Sequence, residues 1–187
     1  MKVLLIDFYD SFTYNIYHYL ISLGVSVDVV EDRELHLTDV ERYDCIVLSP
    51  GPGLPNETRS LFDILETYGG SKKILGVCLG MQGIAEFYGG KLYNQKSVRH
   101  GVSVKMDIIE SNDIFYQLPK SFSVGLYHSW AVDISETILL KPLAVSEDKV
   151  IIAIKHVELP IYGVQFHPES VLTEFGKEMF FNFLYTS

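Results

Sequence analysis

The chain has 187 residues, 48% of them hydrophobic, and its 15 basic and 24 acidic side chains give a net charge of −9. This length can bury one sizeable core, and the apolar fraction excludes a disordered chain. No block of like charges appears, so neither nucleic acid nor an anionic membrane is a predicted partner. We expect one domain over residues 1–187.

The amino terminus and the two cysteines favour the cytoplasm. The first apolar run, VLLI, spans four residues, too few for a signal peptide or a membrane span. Cys45 and Cys78 both lie in apolar, strand-like runs, so a disulfide scaffold is not predicted. Each thiol is therefore expected to serve either packing or chemistry.

The first half of the sequence alternates between apolar strands and helices. Four runs rich in Val, Ile and Leu predict strands at residues 2–8, 25–32, 44–50 and 73–78. A helix is predicted from the apolar spacing of residues 12–23, with Asp10 or Ser11 as its N-cap and Gly24 as its stop. Two more helices end at double glycines, at residues 59–68 and 79–88. This alternation indicates a parallel sheet covered on both faces.

The second half has a different pattern. Longer strands with polar interruptions are predicted at residues 97–109 and 122–134, and shorter ones at 143–146, 150–156 and 161–167. They form either an antiparallel extension or a second sheet packed on the first. A closing helix is predicted at residues 174–185. The predicted fold class is thus α/β, with a mostly parallel central sheet flanked by helices and a smaller antiparallel strand extension.

A cysteine interrupts the apolar run LGVCLGMQG at residues 75–83. Strand, G-x-C-x-G and helix form the cysteine version of a nucleophile elbow, in which Gly76 and Gly80 remove colliding side chains. The following helix directs N–H groups and its dipole at the sulfur, which lowers a thiol pKa from ~8.5 towards neutrality. The alternative is a small buried core residue, and that is our interpretation of Cys45, which lacks flanking glycines.

A nucleophilic cysteine needs a base and a group that orients the base. Among six histidines, His167 ends the run IYGVQF and precedes Pro168 and Glu169. Proline keeps the histidine extended at a strand end, and positions i and i+2 of extended backbone share a face. Glu169 is therefore predicted to orient the His167 imidazole. The alternative is a surface His-Pro turn.

A glycine-rich loop, SPGPGLP, follows the third predicted strand at residues 49–55. It has no lysine in the Walker position, so a phosphate loop is not predicted. Small residues at a strand's carboxyl end can instead present backbone N–H groups to an oxyanion. The alternative is a plain Pro-Gly turn.

Together, SPGPG (49–53), GVCLGMQ (76–82) and GVQFHPES (163–170) resemble the class I, or triad, glutamine amidotransferases, whose fold is flavodoxin-like. The resemblance implies that Cys78 attacks the amide of glutamine, that His167 acts as base and then acid, and that Glu169 orients it. It implies an oxyanion hole from the N–H groups of two residues, Gly53 and Leu79. It also implies that glutamine is held by Gly51, Gln82, Ser129 and Trp130, the last through its backbone.

The segment DFYDSFTYNI (7–16) resembles the D-x-Y-D-S-F-T-x-N signature of the glutamine components of anthranilate and para-aminobenzoate synthases, departing at Phe8. RHGVS (99–103) resembles an M-H-G-x-x-S loop of the same subfamily, departing at Arg99 and Val102. Several side chains in this region lie outside the apolar face of the first predicted helix and could contact a partner protein. The proposed contacts are Tyr9, Asp10, Ser11, Thr13, Asn15 and His100; the alternative for residues 9–15 is a helix cap plus core.

The resemblance implies a glutaminase subunit that works through a Cys thioester and delivers ammonia to a chorismate-utilising synthase. The sequence shows no nucleotide motif and no evident acceptor site, so we expect the acceptor to bind the partner. The leading expectation is anthranilate synthase, and the alternative is aminodeoxychorismate synthase, or both. More remote are a stand-alone thiol hydrolase and a non-catalytic scaffold. No cofactor or metal is expected in this chain, whereas the partner synthase is expected to need Mg²⁺.

Overall fold

The computed structural model describes residues 1–186, except for the side chains of residues 96–99. Its strands are β1 (Lys2–Asp7), β2 (Ser26–Glu31), β3 (Cys45–Leu48), β4 (Lys73–Val77), β5 (Lys91–Ile108), β6 (Ser121–Asp133), β7 (Leu140–Ser146), β8 (Ile151–His156) and β9 (Ile161–Val164). Its α-helices are α1 (Thr13–Ser22), α2 (Leu61–Tyr68), α3 (Leu79–Phe87) and α4 (Gly176–Tyr185). Three short 3-10 turns, at Leu37–Arg42, Pro55–Glu57 and Asp113–Phe115, were not predicted.

All the strands pair in a single mixed sheet, in the order β2-β1-β3-β4-β9-β8-β7-β5-β6. In this spatial order, neighbouring strands pair in parallel from β2 as far as β9. From β9 to the other edge of the sheet, β6, neighbouring strands are antiparallel. The predicted fold class is therefore confirmed, and of the two alternatives for the second half the extension is right and the second sheet is wrong.

Strand β9 joins the two parts of the sheet. It pairs parallel with β4 and antiparallel with β8, although it is the last strand in sequence. The segment therefore belongs to the parallel part as well as to the extension. This insertion brings the residues that follow β9 beside those that follow β4.

The core lies on both faces of the sheet. Along β1, Val3 and Leu5 belong to one buried cluster and Leu4 and Ile6 to the other. Successive side chains of a strand point to opposite faces, so a strand covered on both faces must be apolar throughout. This explains the uninterrupted VLLI run. No helix in the described part of the chain is long and apolar enough to cross a membrane.

Helix α1 starts later than predicted. Its N-cap is Phe12, not Asp10 or Ser11, and the Phe12 side chain makes no capping bond. The Asp10 carboxylate instead accepts the Phe12 N–H at 2.8 Å, in a turn before the helix. Gly24 ends the segment as predicted, at a φ of 86°, in the left-handed region that glycine adopts without strain.

Candidate active site

Cys78 lies at a sharp turn between β4 and α3. Its φ is 51° and its ψ −100°, a strained conformation for a non-glycine residue. Its N–H donates to the Val164 carbonyl of β9 at 2.8 Å, which ties the turn to the neighbouring strand. The side chain is 8% exposed, so the sulfur has limited access to the surface.

The glycines beside Cys78 are required by close packing. A Cβ on Gly80 would lie 2.6 Å from the Leu48 carbonyl oxygen of β3. A Cβ on Gly76 would lie 2.4 Å from the Gly80 carbonyl carbon. No side chain fits at such distances, so glycine alone lets α3 begin directly against β3 and β4.

His167 and Glu169 form a buried pair behind the cysteine. Their Nδ1 and Oε1 atoms are 2.7 Å apart, and the residues are only 2% and 3% exposed. The reason given from the sequence was extended backbone, and that is wrong. The Ser170 N–H donates to the His167 carbonyl at 3.1 Å, so a turn brings Glu169 back to the imidazole.

The environment of this pair raises the pKa of both groups. Burial alone would lower the pKa of His167, but the Cys78 sulfur and the Glu169 carboxylate outweigh it and raise that pKa to about 10. Burial also raises the pKa of the Glu169 carboxyl, offset only in part by the hydrogen bond from His167. His167 therefore carries an imidazolium at neutral pH.

The other imidazole nitrogen of His167 faces the nucleophile. Nε2 is buried and makes no strict hydrogen bond within the described residues, although the Cys78 sulfur is near enough to affect the imidazole pKa. Catalytic hydrogen bonds are often loose before substrate binds. The arrangement can hold a thiolate beside an imidazolium and pass a proton between Nε2 and a reacting atom.

A cleft of about 340 Å³ opens at Cys78, within the usual size of small-molecule sites. Six residues predicted for the site line it: Gly51, Gly53, Cys78, Gln82, Ser129 and Trp130. The Leu79 side chain does not line this cleft but lies 1% exposed in the core. Leu79 can therefore act there only through its N–H, at the first turn of α3.

The SPGPG loop is fixed at the rim of this cleft. A Cβ on Gly51 would lie 2.5 Å from Leu79 Cδ2, so the loop backbone packs directly on α3. Gly53 has a φ of 76°, and the Leu54 N–H beyond it donates to the Glu57 carboxylate at 2.8 Å. These contacts hold the Gly53 backbone rigidly beside the cleft, as an oxyanion donor would require.

Four further residues lie near Cys78. Tyr127 and His128 belong to the YHSW stretch (127–130), of which chiefly Ser129 and Trp130 were predicted for the site, whereas Gln165 and Phe12 were not predicted. Gln165 donates to the sulfur at 3.4 Å, and His128 lines the cleft. The rings of Tyr127 and Phe12 lie 4.8 and 5.1 Å from the His167 ring. Gln165 stands two positions before His167, but no local pattern in the sequence places it beside Cys78, because that contact depends on the pairing of β9 with β4. Phe12 was predicted as core, and it instead covers the imidazole.

The candidate partner contacts differ in exposure. Tyr9, Ser11, Asn15 and His100 are exposed, and Asp10 is half-buried. Thr13 is fully buried, so its assignment to a contact surface is wrong. The Thr13 hydroxyl donates to the Asp7 carboxylate at 2.8 Å, which holds the side chain against the end of β1.

Among the residues that the structure describes, no cluster of three His, Cys, Asp or Glu side chains could hold a metal ion.

Comparison with known proteins points to one family. The model of the family described as glutamine amidotransferase class-I matches residues 4–187. A Haemophilus influenzae protein described as an anthranilate synthase component II is 42% identical, over 98% of this chain and 96% of its own. The aminodeoxychorismate synthase component 2 of Escherichia coli is 40% identical, over 98% of this chain and 99% of its own. A solved structure from Thermoplasma acidophilum, described as one subunit of a GMP synthase, is 27% identical with a TM-score of 0.89, over 98% and 92%.

Proposed function

This chain belongs to the class I glutamine amidotransferases, and from that membership we propose that it hydrolyses glutamine and supplies ammonia to a partner synthase. The observation that carries the proposal is the arrangement of Cys78 on a strained elbow in a cleft, with the buried His167–Glu169 pair behind it. A buried imidazolium beside a thiol generates the nucleophile that amide cleavage needs.

The proposed reaction runs in two steps. The Cys78 sulfur attacks the carboxamide carbon of glutamine, and His167 Nε2 gives its proton to the departing ammonia, which leaves a glutamyl thioester. Water then adds to the thioester as His167 takes its proton, and glutamate and the free thiol are released. The N–H groups of Gly53 and Leu79 are proposed to stabilise the oxyanion in both steps. Glutamine and water thus give glutamate and ammonia.

The ammonia is proposed to reach a chorismate-utilising synthase subunit. Relatives of both kinds, anthranilate and aminodeoxychorismate synthase components, match nearly the whole chain at similar identity. We favour anthranilate synthase, because YHSW (127–130) and the extended segment GVQFHPESVLTEFG (163–176) resemble its glutamine component. The alternative is aminodeoxychorismate synthase, or service to both. In this proposal Mg²⁺ belongs to the partner, and the assembly works in the cytoplasm.

Reconstitution with each kind of synthase subunit tests this choice. The chain is mixed with a purified component I of either pathway, chorismate, Mg²⁺ and glutamine, and the two products are separated by chromatography. We expect anthranilate from the tryptophan-type mixture and stable co-purification of the two chains. Aminodeoxychorismate alone would refute the leading choice, and no glutamine-dependent product from either mixture would refute the proposal.

The two remote alternatives are tested with the isolated chain. A thiol hydrolase would cleave peptides or esters without a partner and form no glutamyl adduct on Cys78. A scaffold subunit would bind its partner without any glutamine turnover. The intact Cys78, His167 and Glu169 constellation argues against the scaffold, since a subunit that only binds has no use for a buried ion pair beside a thiol.

A further inference from the structure

A chain of hydrogen bonds runs from the wall of the cleft to the Cys78 sulfur. The Trp130 carbonyl accepts from Gln82 Nε2 at 3.3 Å. The same nitrogen donates to Gln165 Oε1 at 3.2 Å, and Gln165 Nε2 donates to Cys78 Sγ at 3.4 Å. Gln165 is fully buried, so its amide depends on these partners and not on water.

The donor and acceptor roles in this series of hydrogen bonds are fixed by its first member, the Trp130 carbonyl. The Trp130 group is a backbone carbonyl, which can only accept, so Gln82 must present its nitrogen. The Gln82 nitrogen can only donate, so Gln165 must present its oxygen there. The nitrogen of Gln165 is thereby directed at the sulfur, and rotating either amide would bring two like groups together.

The backbone around Gln165 is held on both sides. The carbonyl of the preceding Val164 accepts the Cys78 N–H at 2.8 Å, and the Gln165 N–H donates to Ile152 of β8 at 2.9 Å. The following Phe166 lies in the core. The backbone that carries the amide is therefore fixed relative to the Cys78 turn.

We propose that Gln165 is a further positioning residue of this site, whose amide holds the Cys78 thiolate and fixes the Gln82 side chain against the cleft. The inference rests on the proposed glutaminase function. A donor to the sulfur stabilises the charged nucleophile, whereas a leucine of similar size would pack without any buried polar cost. Because Gln82 lines the cleft, the same amide sets the substrate wall and the nucleophile relative to each other.

The test is the pH profile of Cys78 alkylation by iodoacetamide in Gln165→Met, which keeps the length of the side chain and removes its donor. We expect the rate constant at pH 7 to fall about tenfold, while the plateau at high pH stays that of the wild type. The matched control is Gln117→Met, an exposed glutamine on another part of the chain, and its profile should not change.

Cys45 reports whether the variant is folded. It is buried, and burial raises its pKa to about 12, so it should stay unlabelled as long as the core is intact. Gln165→Met with Cys45 unlabelled and the wild-type pH profile would overturn the proposal. If Cys45 of Gln165→Met is alkylated, the core of that variant has opened, and a second substitution that preserves the shape of the amide tests the proposal instead.

Gln165→Glu is that second substitution. Its carboxylate offers no donor to the sulfur and repels the thiolate, so the rate constant of alkylation at pH 7 should be at least as low as in Gln165→Met. A rate constant at pH 7 equal to that of the wild type would again overturn the proposal. In glutaminase assays both variants should lose kcat about tenfold or more, with a smaller change in KM. If wild-type protein with its partner hydrolysed no glutamine, the proposed function would fail, yet the alkylation profiles would still decide the role of Gln165.

Discussion

At the scale of single residues, the site depends on a thiol that differs from the other thiol of the chain only in its surroundings. Cys45 is enclosed in the strand core, which raises its pKa to about 12. Cys78 instead has a neighbouring imidazolium and borders a cleft. Close glycine packing, a strained φ and a buried pair that begins 89 residues further along therefore distinguish Cys78, the proposed nucleophile, from Cys45.

Replacement of Cys78 by serine should separate the two halves of the proposed reaction. Cys78→Ser is expected to abolish glutamine-dependent product formation with the partner synthase, because an alcohol beside this imidazolium remains protonated and attacks amides poorly. Synthesis from added ammonium salts should be unchanged, since the acceptor chemistry belongs to the partner. Product formation is measured with each nitrogen source. Cys45→Ser, which removes the other thiol, is the matched control and should keep both activities. Glutamine-dependent activity in Cys78→Ser above a few per cent would contradict the proposed nucleophile.

The imidazole of His167 should keep its proton well above neutrality. We expect its ¹³Cε1 resonance to titrate near pH 10, and Glu169→Gln to move the midpoint to lower pH, because the carboxylate that stabilises the charge is gone. The measurement is a ¹³C-histidine NMR titration, with His167→Gln to assign the signal. A wild-type midpoint close to the ordinary value of about 6.5, unmoved by Glu169→Gln, would contradict it.

The raised pKa of His167 also determines how this residue affects the stability of the fold as the pH changes. The folded-state pKa of His167 lies above the unfolded value, so the folded chain binds this proton more tightly. Its contribution to the free energy of unfolding is therefore complete below about pH 6.5 and is lost as the pH rises towards 10.

At the scale of elements, the site exists because α3 begins in contact with two strands. Gly80→Ala should move the helix, since the added Cβ would lie 2.6 Å from the Leu48 carbonyl oxygen. We expect a loss of about 1–3 kcal/mol in the free energy of unfolding, typical of overpacking, and at least a tenfold loss of Cys78 adduct formation with glutamine. Urea denaturation and mass spectrometry measure the two effects.

Gly70→Ala is the matched control for that substitution. A Cβ at Gly70 meets nothing within 4 Å, so stability should stay within about 0.5 kcal/mol of the wild type. Equal losses in the two alanine variants would show that the packing of α3 on β3 is not what limits the site.

The elements themselves were largely predictable. Strands β1 to β4 and the four helices follow from apolar runs, helical spacing and glycine stops, because each signal is local. The contact between His167 and Glu169 was predicted as well, but from extended backbone, whereas a turn produces it. A turn of this kind depends on hydrogen bonds that residue types alone do not specify.

Features that depend on strand register were not predictable. Gln165 reaches Cys78 only because β9 inserts beside β4, and no local pattern encodes that insertion. Thr13 was assigned to the surface from helical spacing, but its hydroxyl donates to the Asp7 carboxylate at the end of β1. In both cases a polar partner from another segment overrides the pattern.

At the scale of the whole molecule, the carboxyl edge of the parallel strands carries both the cleft and the exposed side chains of the DFYDSFTYN segment. Phe12 of that segment lies on the His167 ring, while Ser11 and Asn15 on either side of it face outward. A partner that binds these exposed side chains would therefore touch a segment in direct contact with the imidazole.

The isolated chain is expected to be a slow glutaminase that speeds up greatly when partner and chorismate are bound. Ammonia released without an acceptor is wasted, so closure of the site upon assembly is advantageous. Glutamate release is measured for the chain alone, with partner, and with partner plus chorismate. High turnover by the isolated chain, unchanged by the partner, would contradict this expectation.

Asn15→Arg should weaken that activation, because it adds a large charged group to an exposed position of the proposed contact. We expect at least a tenfold smaller rise in glutamate release at limiting partner, with unchanged alkylation of Cys78 in the isolated chain. Ile138→Arg, at a side chain that is 89% exposed beyond the far end of α3, is the control and should behave as the wild type. Identical activation in the two variants would exclude Asn15 from the contact.

The central position of β9 also has a consequence for the order of folding. This strand lies between β4 and β8, and the Gln165–Cys78 contact that follows it spans 87 residues. Contacts of such long range form late, after the costly closure of the intervening chain. Cys78 and helix α3 are therefore synthesised well before His167, Glu169 and Gln165. A nascent chain thus carries Cys78 without the groups proposed to assist it until the last strand enters the middle of the sheet.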